Sequence, residues 1–239
     1  MIRNITALTQ RELSSIFLSL IAYIVGLLFL VATAMLFMFN TLTEGGEASL
    51  QPLFGHMAWL LILAIPLVTM RMISEEYASG TIETLMTAPV SDTEVVLGKF
   101  LGAMSFFLAL TLSTIVYAVV LTIYGSPDKT VMMYGYLGLL LLGGFYASVG
   151  LFASSLTRHQ LIAAVLGMAI IGVLTYAMDY VAGLQSGAWR LVFSYVNVLN
   201  HFEDFSRGIV DTKAIVFFIS ATLFFLFLSV KVMESKRWR

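Results

Sequence analysis

The chain of 239 residues contains no cysteine, and only 11% of its residues are charged. Without cysteine there is no disulfide framework and no thiolate metal site. A soluble domain carries about a quarter charged residues, so a chain this poor in charge is not built to face water all round. It has no basic stripe, and a formal net charge of -1 offers nothing to a nucleic-acid backbone. A nucleotide-binding loop is missing as well. Gly98-Lys99 lacks both the upstream Gly and the following hydroxyl, and the stretch from Gly125 to Thr130 has no Gly before its Lys. The histidines His56, His159 and His201 form no HExxH pair, and no GxSxG elbow occurs, which argues against a zinc hydrolase and an elbow-type hydrolase.

What the chain does have is apolar length. Hydrophobic residues make up 59% of it, and the mean hydropathy is +0.94. They are grouped into six runs, at about 16–39, 53–70, 100–124, 133–156, 161–183 and 214–232. Such runs match the roughly 20 residues that cross ~30 Å of hydrocarbon as a helix. They are continuous and do not alternate at period two, which excludes a β-barrel. Helices remain as the way to satisfy every backbone polar group in lipid. The first run is too long for the core of a signal peptide and reads as a retained anchor. With no internal repeat, residues 1–239 are expected to form one all-α membrane domain.

The distribution of Lys and Arg orients it. With the N-terminus inside, the inner segments hold Arg3, Arg11, Arg71, Lys99, Arg158, Lys231, Lys236, Arg237 and Arg239, and the outer ones Lys129, Arg190, Arg207 and Lys213, nine against four. Both termini are therefore expected to be cytoplasmic.

The inner connection from Arg71 to Lys99 is too long for a plain turn, and acidic in a chain that avoids charge. Met72, Ile73, Tyr77, Ile82, Leu85 and Met86 recur at the three- and four-residue spacing of an amphipathic helix. Gly80 permits a break within it, and Pro89 ends it. Ser91-Asp92-Thr93-Glu94 fits a capping box that starts a new helix through Gly98-Lys99. The element predicted is a helical hairpin at the cytoplasmic surface that offers Glu75, Glu76, Glu83, Asp92 and Glu94 to a partner. The simpler reading is a solvated loop.

Between spans five and six, Val192, Tyr195, Val198, Leu199, Phe202, Phe205 and Ile209 share one helical face, as in a helix lying in or dipping into the interface. Two short helices broken between Tyr195 and Asn197 fit equally well, as does a lid packed on the bundle. The segment from Ile2 to Ser15 reads as a short interfacial helix with Arg3 and Arg11 facing lipid headgroups. Asp179 is an acid within a span, which a proton relay would need, although a local hydrogen bond accounts for it more simply. Gly98-x-x-x-Gly102, Gly143-x-x-x-Ala147, Gly144-x-x-x-Ser148 and Gly150-x-x-x-Ser154 place small residues for close helix contact, within the chain or across a dimer.

Together these residues carry a resemblance. The inner Ser74-Glu75-Glu76, Gly80-Thr81-Ile82-Glu83, Pro89-Val90 and Val95 to Phe100, the later His201-Phe202 with Arg207-Gly208-Ile209-Val210-Asp211, and the ending Arg237-Trp238 resemble ABC-2 type permeases, the membrane subunits of bacterial ATP-binding-cassette exporters, in their gliding-motility-type branch. The resemblance implies six spans, an interfacial N-terminal helix, a cytoplasmic coupling helix between spans two and three, and short re-entrant helices between spans five and six. It implies that Glu75, Glu76, Gly80, Thr81, Glu83 and Thr84 form or abut the coupling helix, with Pro89, Asp92 and Glu94 shaping its exit. It places Tyr195, Asn197, His201, Phe202 and Arg207 in the outer re-entrant segment. It further implies a separate ATPase subunit that binds the ATP and Mg, a second permease copy or paralogue, room for an accessory extracytoplasmic protein, and a place in the bacterial inner membrane, with no cofactor on this chain. Two alternatives stay open at this level: a module that transmits force across the membrane without moving a solute, and a secondary transporter or channel.

Overall fold

The computed structural model describes residues 2–42, 48–82, 90–184 and 187–237, with side chains at all of these except 179, 182, 188, 191, 194 and 237. Among the described residues all regular structure is helical. In chain order the helices are α1 (Ile2–Phe17), α2 (Leu20–Asn40), α3 (Gln51–Thr69), α4 (Arg71–Ser79), α5 (Asp92–Ser113), α6 (Ile115–Tyr124), α7 (Lys129–Leu156) and α8 (Gln160–Gly172). A π-helical turn, Val173–Ala177, joins α8 to α9 (Met178–Leu184), followed by α10 (Ala188–Val196), α11 (Val198–Ser206) and α12 (Thr212–Arg237). Six helical stretches are long and apolar enough to cross a bilayer: Leu20–Asn40, Gln51–Ser79, Asp92–Tyr124, Lys129–Leu156, Gln160–Ala177 and Thr212–Lys236.

Helix α7 is the axis of the bundle, packed against α3, α5, α8, α11 and α12. Its glycines act as sockets for large side chains. A Cβ at Gly143 would fall 2.0 Å from the Phe107 ring, one at Gly135 2.1 Å from the Phe54 ring, and one at Gly150 2.1 Å from Thr69 Oγ1. Gly98 and Gly102 play the same part in α5, facing Leu8 and Glu12 of α1. Without a hydrophobic drive in lipid, close backbone approach of this kind is what holds helices together. These small residues therefore serve contacts inside the chain. The outward faces of α2, α6 and α12 remain apolar, with Leu27, Leu28, Ile123, Leu223 and Phe227 exposed as lipid-facing residues are.

Two spanning helices are interrupted at junctions where a side-chain hydroxyl bonds to the backbone, at Met70 and at Thr114. Ser154 Oγ of α7 accepts from the amides of Ile73 and Ser74, both at 3.0 Å, and donates to the Met70 carbonyl at 2.7 Å. In an unbroken helix those amides would bond to Thr69 and Met70, so this one side chain separates α3 from α4. At the other junction, the Tyr136 hydroxyl donates to the Thr114 carbonyl at 2.8 Å, between α5 and α6. The third irregularity, the π turn in span five, has Thr175 Oγ1 donating to the Ile171 carbonyl at 2.8 Å.

Candidate functional site

Helices α1 and α4 and the start of α5 converge at one end of the bundle. The C-terminal part of α12 reaches the same end, where Lys236 Nζ donates to the Ser155 carbonyl at 2.8 Å and lies 4.2 Å from the centre of the Tyr77 ring. The start of α4 is held by Ser154, as above. Its other end is set by Gly80, whose φ of 74° terminates the helix in a left-handed conformation that favours glycine.

Ser91 opens α5 with the complete capping box. Its hydroxyl accepts from the Glu94 amide at 3.2 Å, and the Ser91 amide donates to Glu94 Oε2 at 2.9 Å. Glu94 also accepts from Asn4 of α1 at 3.4 Å, so the box ties α5 to α1.

One helical turn further on lies the centre of the site. Lys99, 2% exposed, donates to Glu12 Oε1 of α1 at 2.7 Å and to Glu76 Oε1 of α4 at 2.9 Å. Three helices are thus joined through one buried ammonium. Arg11 approaches Glu76 Oε1 at 3.8 Å from the surface. Arg71 pairs with Glu75 at 3.6 Å and donates to the Ser15 carbonyl at 3.2 Å and to the Ser19 hydroxyl, binding the start of α4 to the turn between α1 and α2. A cavity of about 200 Å³ opens beside the triad. Taking charges out of water is costly unless they are paired. Two carboxylates on one ammonium meet that condition in part, and Glu76 Oε2 is left with no hydrogen-bond partner among the described residues.

The expectation that five acids are offered outward is therefore corrected for Glu76 and Glu94. Glu75 is exposed, but Glu76 and Glu94 are buried at 8% and 6% exposure and are used within the chain. Asp92 lies in the first turn of α5, partly buried, and Thr81 is exposed just past Gly80. Glu83, Thr84 and Pro89 lie outside the described residues, as does the side chain of Asp179, whose backbone is in α9. Glu12 and Lys99 were not singled out as site residues, yet the signal was present. Glu12 falls four residues from both Leu8 and Ile16, and Glu76 four from Met72 and three from Ile73, so each acid sits on an apolar face.

At the opposite end of the bundle, residues 188–206 between spans five and six form two helices broken at Asn197. Its side chain caps α11 by accepting from the Leu199 amide at 2.9 Å, which explains why this polar residue is buried. Phe202 is buried, whereas Tyr195 is exposed, so the single apolar face read along this segment divides at the break. His201 stacks on Phe217 at 4.3 Å and bonds to the Tyr195 carbonyl at 2.9 Å. Arg207 pairs with Glu203 at 3.2 Å, and Gly208 (φ 82°) turns the chain towards α12.

Fold and site together define a multi-pass helical membrane protein with a polar, interlocked element at one end of its bundle. The comparison with known families narrows this. The chain belongs to the ABC-2 family, whose model, described as "ABC-2 family transporter protein", matches residues 41–205. It is similar to the protein named "Probable multidrug ABC transporter permease YbhR" in Escherichia coli strain K12 and in Escherichia coli O157:H7. Each is 24% identical over 159 residues, 64% of this chain and 41% of the relative. The match thus spans well under half the length of those curated proteins.

Proposed function

We propose that this chain is the permease subunit of an ATP-binding-cassette exporter in a bacterial inner membrane, with both termini in the cytoplasm. Helix α4 and the turn after it form the coupling element on which a separate ATPase subunit rests. That subunit binds the ATP and Mg, and this chain binds neither. Two permease copies, or one copy and a paralogue, face each other above two ATPase subunits.

The observation that carries this reading is the Glu12–Lys99–Glu76 triad, because it converts a push on α4 into movement of α1 and α5. A solvated loop needs no such buried link. Nucleotide binding draws the ATPase subunits together and so favours one of two global states of the paired bundles. A ligand shifts such an equilibrium only by its difference in affinity for the two states, and a rigid α4 is what lets that difference reach the spans. The interruptions at Met70 and Thr114 and the π turn at Val173–Ala177 supply places where the spans can flex.

The acidic stretch continuing to Glu83 and Thr84 is the proposed contact surface. In the complex reconstituted with its ATPase subunit, Glu83→Lys, or a Pro placed at Thr84, is expected to leave nucleotide hydrolysis uncoupled from transport or to prevent assembly. The ratio of substrate moved to ATP hydrolysed checks this. Normal assembly with an unchanged ratio in both variants would count against docking.

A further inference from the structure

We propose that the cavity between α3 and α11, at the end of the bundle opposite the triad, is a binding site for an organic amine with an apolar or aromatic body. The cavity measures about 300 Å³. Gly55, His56 and Trp59 of α3 form one wall, and Phe202, Glu203 and Ser206 of α11 the other. A concave, mostly apolar pocket with a few placed polar groups is the usual form of a small-molecule site. Room for a ligand is built into the backbone, since a Cβ on Gly55 meets nothing within 4 Å. An aromatic surface is open as well. Trp59 is 58% exposed, and the Tyr176 ring, 4.2 Å away at 31°, holds the indole in place. Such ring faces attract cations.

The polar groups of the wall are mainly acceptors. His56 Nδ1 lies 2.6 Å from the Pro52 carbonyl, which can only accept, so the proton sits on Nδ1 and Nε2 is left as an acceptor. Ser206 spends its hydroxyl hydrogen on the Glu203 carbonyl at 2.8 Å, and Pro52 at the rim has no N–H to offer. The Trp59 indole N–H is the donor set against these acceptors. Charge points the same way. Among the described residues lining the cavity, Glu203 alone is charged. Arg207 reaches Glu203 Oε1 at 3.2 Å from outside the lining. With the two side chains 52% and 60% exposed, that pair contributes little in water and yields to a ligand. Glu203 and Ser206 also belong to the last turn of α11, the negative end of that helix. A protonated amine therefore meets a carboxylate, an imidazole acceptor and an indole face, whereas an anion meets repulsion from Glu203.

The site stands on this cavity and not on the ATPase reading, so its test uses the purified full-length chain alone. Calorimetric titrations in detergent near neutral pH compare naphthylethylamine, naphthylethanol and naphthylacetate. These share one ring system and are a cation, a neutral molecule and an anion. The amine is expected to bind about tenfold more tightly than the alcohol, and the acid most weakly. Glu203→Gln is expected to bring the amine and the alcohol to equal affinity. Gly55→Leu fills the cavity from a position with no neighbour to displace, and is expected to abolish binding of both with Tm unchanged. Should Gly55→Leu lower Tm, the ratio of amine to alcohol in Glu203→Gln decides the matter. Equal affinities for all three probes in the native chain, or no binding, overturn the proposal. So does an amine preference that survives in Glu203→Gln, or amine binding unchanged in a folded Gly55→Leu, since either places the ligand elsewhere.

Discussion

Replacing Lys99 with Met is expected to destabilise the fold strongly. The substitution leaves Glu12 and Glu76, whose oxygens lie 2.7 and 2.9 Å from the ammonium, as two buried carboxylates with no cation between them. Removing one partner of a buried ionic group costs about 3–5 kcal/mol, because the remaining charge keeps its desolvation penalty and loses its compensation. For a chain of this size that corresponds to a fall in Tm of roughly 10 °C. Thermal unfolding in detergent and the monodisperse fraction on size exclusion read it directly. A second variant isolates the cause. Combining Lys99→Met with Glu12→Leu and Glu76→Leu replaces the whole group by apolar side chains, which is commonly neutral or stabilising. Recovery of folding in the triple variant assigns the loss to the broken charge group, whereas continued loss assigns it to packing at Lys99.

The second large effect is steric. A Cβ on Gly102 would lie 2.7 Å from Glu12 Cβ, and one on Gly98 2.6 Å from Leu8 Cβ. Those atoms are fixed to the α1 backbone and cannot rotate away, so α1 itself has to move by ~1 Å to restore van der Waals spacing. Gly102→Ala is thus expected to cost about 1–3 kcal/mol as overpacking, and to draw Glu12 off Lys99. Because both substitutions act on the same docking of α1, Gly102→Ala combined with Lys99→Met should cost less than the two measured separately. Gly55 provides the control, since a Cβ there meets nothing within 4 Å. Gly55→Ala should be neutral or stabilising by up to ~1 kcal/mol, as for any exposed helical glycine. Unfolding midpoints of the four variants check the scheme, and a Gly102→Ala protein as stable as Gly55→Ala would contradict it.

Local signals were legible in the sequence and long-range ones were not. The runs of apolar residues mark the spans, because crossing a bilayer demands length and little else. Gly80 and the Ser91–Glu94 capping box are equally local, and both form where the spacing places them. The triad is different. Glu12 and Glu76 are 87 and 23 residues from Lys99, and nothing within a window links them. Charge bookkeeping even pointed elsewhere, since Lys99 counted as an orienting cation and Glu76 as an outward acid. Helical phase was the missing clue, for an acid on an apolar face needs a buried partner. Nor did the sequence announce the helix break at Met70. It is made by Ser154, a residue that reads as one half of a small-residue packing pair and in the fold also fills a hydrogen-bonding role. The π turn at Val173–Ala177 lies in an unbroken apolar run with only Thr175 to mark it.

The absence of cysteine makes the central question easy to address. Ser79, exposed at the end of α4, can be changed to Cys as the only thiol in the permease. In membranes containing the partner ATPase, Ser79→Cys is expected to resist impermeant thiol reagents added outside, to react once the inner face is opened, and to cross-link to the ATPase subunit with a short bifunctional maleimide. Labelling from outside, or an assembled and active complex in which this thiol reacts freely without ever linking to the ATPase, would contradict the assignment of α4 as the element that receives the force of ATP hydrolysis.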